Sequence, residues 1–112
     1  MKHFKYTEIE EEQVPEPAKK VTVRWLIDEK TGATNFAMRM FKVEPGGSTP
    51  HHAHPWEHEV YILSGRGQVL GEKGEKTISP GDIVFIPPNE KHMFTNSGEG
   101  KLKFLCLIPI EK

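Results

Sequence analysis

The chain of 112 residues carries one cysteine, Cys106, so no internal disulfide forms. That suits a reducing compartment. It has no surplus of positive charge, since 15 Lys and Arg stand against 16 Asp and Glu, for a net charge of -1. Too little basic surface is left to neutralise phosphates, and no nucleic-acid role is expected. No run approaches the roughly 20 apolar residues of a membrane-spanning helix. The opening MKHFKYTEIEEEQ has no apolar core of a secretion signal. The expectation is a cytoplasmic protein with no membrane partner. Internal repeats are missing, as are Ser-His-Asp and Cys-His nucleophile patterns. The glycine turns SGRG and GEKG lack the spacing of phosphate-binding loops. Helix-period segments longer than about two turns are missing too.

What is present is a succession of short apolar runs between turns. VTVRWLI (21–27), FAMRMFKV (36–43), HEVYIL (58–63), IVFIP (83–87), HMFTN (92–96) and KLKFLCLIPI (101–110) read as strands. DEKTGATN, EPGGSTP (44–50), SGRG, SPGD, PPNEKH and SGEG read as turns and loops. Many short strands with Gly/Pro turns predict an all-β sandwich or barrel in a single domain. Ahead of it, residues 1–20 read as an N-terminal arm, with the barrel over 21–112. Pro15 and Pro17 forbid a continuous helix there, which confines any helical turn to residues 7–13 with Thr7 as N-cap. Residues 1–27 are the expected source of a homodimer surface, because VTVRWLI reads as a long exposed edge. The alternative is an arm folded back over its own barrel.

Histidine carries the chemistry. His51, His52, His54 and His58 fall within eight residues, and His92 follows two strands later. On a strand, His52 and His54 point to one side, with Cα atoms roughly 6.5–7 Å apart. Two imidazoles so placed can share one ion at about 2.0–2.2 Å. His51 points the other way. A change of register at Pro55 brings His58 beside the pair, and His92, opening a strand after the PPNEK turn, completes the set. His52, His54, His58 and His92 are therefore the expected ligands of one divalent transition metal per chain. Imidazole suits iron, nickel, copper, zinc and cobalt and tolerates manganese, and the sequence does not choose among them. His3 stands alone and is read as an ordinary surface residue.

These residues resemble the two motifs of the cupin superfamily. The first runs from Gly46 over five residues to His52-Ala53-His54, over three more to His58, and over six to Gly65. The second runs from Gly81 over five residues to Pro87, with Asn89 in place of the second glycine, then to His92 and Asn96. Asparagine also tolerates positive φ, so that turn survives. The resemblance implies a double-stranded β-helix, that is, an antiparallel jelly-roll barrel. More narrowly the chain is similar to small single-domain bacterial and archaeal cupins with a four-histidine site. The general cupin motif usually carries a glutamate where His58 stands. Glu57 and Glu59 flank it, but parity turns Glu59 to the opposite face.

Four neutral imidazoles leave a +2 ion uncompensated, and an octahedral ion keeps two open positions for small ligands. Three functions compete. The first is a dioxygenase-like oxidoreductase acting on a small organic molecule. The second is an isomerase or lyase acting on a sugar or keto acid, and the third is a non-catalytic small-ligand-binding module. Candidate pocket walls are Phe94 and one face of the last strand, namely Phe104, Cys106 and Ile108. Arg39, a charge among apolar neighbours, is a candidate anchor for a substrate carboxylate, or else a salt-bridged or edge arginine.

Overall fold

A computed structural model of the chain describes residues 1–111. Nine strands appear: β1 (Glu12–Gln13), β2 (Lys19–Ile27), β3 (Phe36–Ser48), β4 (His58–Ser64), β5 (Gly67–Gly71), β6 (Gly74–Ile78), β7 (Ile83–Ile86), β8 (Met93–Thr95) and β9 (Leu102–Pro109). Single 3-10 turns at Tyr6–Glu8 and Glu29–Thr31 are the helical elements among the described residues. All pairings are antiparallel, and the order β6-β5-β8-β3-β9-β4-β7 rolls one sheet around a core. This is the all-β barrel the turn spacing predicts. Among the described residues no helix is long and apolar enough to cross a membrane.

Alternation does the sorting. Neighbouring residues of paired strands share a face. Trp25, Arg39, Cys106, Val60 and Val84 therefore form one row across β2, β3, β9, β4 and β7. That row turns inward. Beneath it Val21, Val43, Ile62, Leu102 and Phe104 build the core. The outward row holds Met40, Leu105, Tyr61 and Ile83. On that face Ile83 and Phe85 stay 68% and 55% exposed.

Asn96, 1% exposed, closes the bottom of the barrel by hydrogen bonds. Its side-chain amide donates to the carbonyls of Val43 (2.8 Å) and Gly100 (2.7 Å), and its Oδ1 accepts from Gly98 N–H (2.9 Å). Each buried polar atom of that side chain is thus satisfied, as burial requires. Gly65 turns β4 into β5 at φ +81°, where a Cβ would lie 2.1 Å from the Lys101 carbonyl, so only glycine fits.

Three sequence expectations change. EPGGSTP does not form a loop throughout, since β3 continues to Ser48. Gly46, at φ +82°, bends the strand while its N–H donates to Asn96 O, and Ser48 pairs with both Lys19 and Thr95. Thr7 caps no helix, because the turn at 6–8 starts from Lys5. Finally, β2 is not an open edge. It pairs with β3 on one side and with the chain's own β1 on the other. Val14 and Ala18 pack against the core, and Arg24 donates to Ile9 O and lies over the Tyr6 ring. The arm is folded back over its own barrel, and β1, paired with β2 alone, is the outer strand there.

Candidate metal centre

Two backbone clamps bring the histidines together. His52 and His92 form an isolated antiparallel bridge, donating N–H to each other's carbonyl at 3.2 and 3.0 Å. Asn89 N–H donates to His54 O at 2.6 Å. Asn89 takes φ +69°, the turn geometry for which asparagine substitutes for glycine. The HxH segment is therefore not a strand, as the sequence suggested. It is a loop strapped along the PPNEK turn, and His92 lies across from His52 rather than from His58. His58 opens β4, buried and opposite Ile86. Glu59 is exposed on the outer face, as parity requires, and Glu57 is exposed as well.

Ring centres lie 4.2 Å apart for His52–His54, 4.8 Å for His58–His92 and 5.3 Å for His54–His58. His52–His92 and His54–His92 follow at 5.5 and 6.4 Å. Imidazoles sharing one ion through nitrogens at about 2.1 Å have centres roughly 4.5–6.5 Å apart. The spacing fits. Among the described residues, however, no three His, Cys, Asp or Glu side chains stand with their donor atoms converged as a finished ligand set. What the backbone supplies is the grouping of the rings.

Two features suit the group to a cation that takes neutral nitrogen donors. Burial, helped by the nearby His92 and Arg39, pushes His58 down to about 3. Burial, then His54, His92 and Arg39, pushes His52 down to about 4, and burial lowers His54 as well. These three rings are uncharged at neutral pH and need lose no proton to bind metal. The Nδ1 atom of His58 is buried with no hydrogen-bond partner, an arrangement that is costly unless something binds there. Orientation is set by neighbours: His92 Nδ1 lies 2.9 Å from Glu90 O, and His54 stacks on Trp56 at 4.5 Å and 6°.

Beside Trp56, the ring stacked on His54, opens a cavity of about 960 Å³, walled by Trp25, Trp56, Ala37, Ile108 and Ile110 and bordered by the acidic Glu10, Glu12, Asp28, Glu29 and Glu111. Of the expected pocket residues, Ile108 lines it. Cys106 faces inward against Arg39, whereas Phe94 and Phe104 are stacked in the core at 4.5 Å and are not among the residues lining this cavity. The two tryptophans were missed. Trp56 sits between His54 and His58 in sequence, and that position was the available signal.

The cupin-domain family model matches residues 39–108. The chain belongs to the cupin family. The cupin is similar to a solved polyketide cyclase, RemF from Streptomyces resistomycificus, at 40% identity and a TM-score of 0.94, covering 99% of this chain and 80% of that one. A cupin-2 domain structure from Rhodospirillum rubrum matches at 30% identity and a TM-score of 0.85, over 99% of this chain and 76% of that one. Among curated relatives, a 1-methylthio-D-xylulose 5-phosphate methylsulfurylase of Rhodospirillum rubrum is 35% identical over 67% of this chain and 48% of its own length. An oxalate-binding protein of Thermotoga maritima is 37% identical over 60% of this chain and 56% of its own. The cupin spans about half the length of these curated relatives.

Proposed function

We propose that this cupin holds one divalent transition metal with His52, His54, His58 and His92 and uses it, without redox change, on a small carbonyl-bearing organic molecule. The observation that carries this reading is the group of uncharged imidazoles beside a cavity with two tryptophan walls. A divalent ion there supplies a positive centre that polarises a carbonyl oxygen and eases loss of an adjacent proton. The chain's own part is to bind and orient. Trp25 and Trp56 offer flat indole faces to a planar substrate, while Ala37 and Ile108 keep the wall between them apolar. The likeness to a polyketide cyclase along nearly the whole chain supports ring closure of a polyketone as the reaction class. Isomerase or lyase chemistry on a sugar or keto acid would use the same polarisation.

Oxygen activation, the dioxygenase reading, is the alternative, since four nitrogen donors leave positions open on an octahedral ion. Metal analysis of protein purified without added metal, followed by turnover assays with and without oxygen, separates the two. The expected result is about one ion per chain and turnover that persists under anaerobic conditions and with zinc. Activity that requires oxygen and a redox-active ion would overturn it.

A cytoplasmic homodimer is part of the same proposal. The outer strand β1 and the exposed apolar side chains of β4 and β7 are surfaces available for burial. Light scattering at micromolar concentration tests it, and a mass near 12.8 kDa would refute it.

A further inference from the structure

Arg39 is the cation of the inward row described above, and it joins no ion pair among the described residues. Its Nη2 donates to the Cys106 thiol at 3.1 Å, and its Nε is buried without a partner. The guanidinium lies 4.8 Å from the Phe41 ring centre and 5.4 Å from that of Trp25. The ion pairs among the described residues join Arg24 and Lys42 to Glu11 and Glu44, and Arg39 takes part in none. Its row neighbours are Trp25 and Cys106, with Val60 beyond. A thiol is a weak acceptor, and burial raises the Cys106 pKa, so that thiol stays neutral beside the cation. Contacts with two rings offset part of the cost of this half-buried charge, and its buried Nε still lacks an acceptor. The balance is unfavourable unless an anion arrives.

The position tells where that anion would sit. Trp25 borders the 960 Å³ cavity, and its ring is one of the two against which Arg39 lies. At its other end the same cavity is walled by Trp56, which stacks on His54 at 4.5 Å. A ligand entering by the tryptophan wall would meet the guanidinium on its way to the histidines.

We propose that Arg39 is the substrate anchor of this site, and that it takes the carboxylate of an otherwise apolar, planar small molecule. This rests on the proposed function in placing that molecule beside the metal. The planar fork of arginine pairs with both oxygens of a carboxylate. The flanking Phe41 and Trp25 rings favour an organic body over a compact, fully hydrated ion such as phosphate.

The test uses benzoate and inorganic phosphate as probes, read by tryptophan fluorescence and calorimetry on metal-free and metal-loaded protein. Trp25 lies close enough to report occupancy. Benzoate should bind the wild-type chain and quench or shift its emission. Arg39→Met should weaken that binding roughly 10- to 100-fold, the range expected for a lost charge-assisted hydrogen bond. Arg39→Lys, which keeps the charge and loses the fork, should fall between. Metal content, measured in parallel, should be the same in all three. Equal benzoate affinity in wild type and Arg39→Met would overturn the anchor while leaving the metal reading intact. So would the absence of benzoate binding to the wild-type chain in both metal-free and metal-loaded forms, and phosphate binding tighter than benzoate would overturn the choice of carboxylate. Failure of every form to take up metal would instead refute the proposed function, and the metal-free titrations would still decide the role of Arg39.

Discussion

His58→Ala should cost the protein its metal and, in the metal-free state, make it less sensitive to acid. His58 is 5% exposed and supplies the one histidine nitrogen that is buried without a partner among the described residues. Loss of a supporting residue behind a metal ligand typically weakens binding 10- to 100-fold, and loss of the ligand itself should exceed that. Metal retained after dialysis should drop from about one per chain to a small fraction, whereas His51→Ala and His3→Ala, both at exposed positions, should keep it. Full occupancy in His58→Ala would remove His58 from the ligand set. The acid effect has a definite sign. In the unfolded chain the imidazole titrates near 6.5, and in the folded protein near 3. Between these values the unfolded state binds more protons, so stability is whole above about pH 6.5 and falls as the pH drops toward 3. His52, held near 4, acts in the same direction. Removing His58 takes out one such proton. The slope of unfolding free energy against pH should then decrease by about 1.4 kcal/mol per pH unit between pH 6 and 4. Urea unfolding of metal-free protein across that range reads it directly. An unchanged slope would mean that His58 titrates normally in the fold.

Phe104→Ala should be the most damaging single change to stability. The ring is 1% exposed and stacks on Phe94 at 4.5 Å and on Phe41 at 5.4 Å. It sits on β9, which pairs with both β3 and β4. Phenylalanine-to-alanine changes in cores cost about 3–5 kcal/mol, through lost transfer energy and the cavity left behind. Domains of this size hold only about 5–15 kcal/mol in total. The urea midpoint should fall accordingly with little change in the slope of the transition. Leu105→Ala, on the outer row of the same strand, should cost clearly less. Comparable losses for the two would mean that the outer face is buried in solution.

Much of this was legible in the sequence because period-two alternation is a local signal. VTVRWLI, HEVYIL and KLKFLCLIPI each carry their inward set in plain order, and the strands follow. Parity alone separated His58 from Glu59. The histidine group was legible as residues but not as geometry. A strand was expected for His52 and His54, yet their grouping depends on hydrogen bonds from residues 89 and 92, which no local pattern announces. Pro45-Gly46-Gly47 misled for the same reason. Those residues signal a loop, and long-range pairing to Lys19 and Thr95 overrides them. The apparent edge at 21–27 was covered by two residues, Glu12 and Gln13, too few to register as a strand. Trp25 and Trp56 went unread as cavity walls because aromatic residues in β proteins are usually core.

The order of the strands bears on how the chain comes to be folded at all. Phe36 pairs with Pro109 and Val43 with Leu102, so the middle of the sheet joins segments separated by most of the sequence. On a chain made from its N-terminus, β3 and β4 both emerge well before β9, the strand that holds them side by side. Until then Ala37, Phe41, Val60 and Ile62 have no completed interior to enter. Folding must therefore wait until β9 has been made, and closing such distant segments is slow, in the range of milliseconds to seconds for β topologies. During that wait the nascent chain exposes apolar strands to its neighbours, the condition in which aggregation competes with folding.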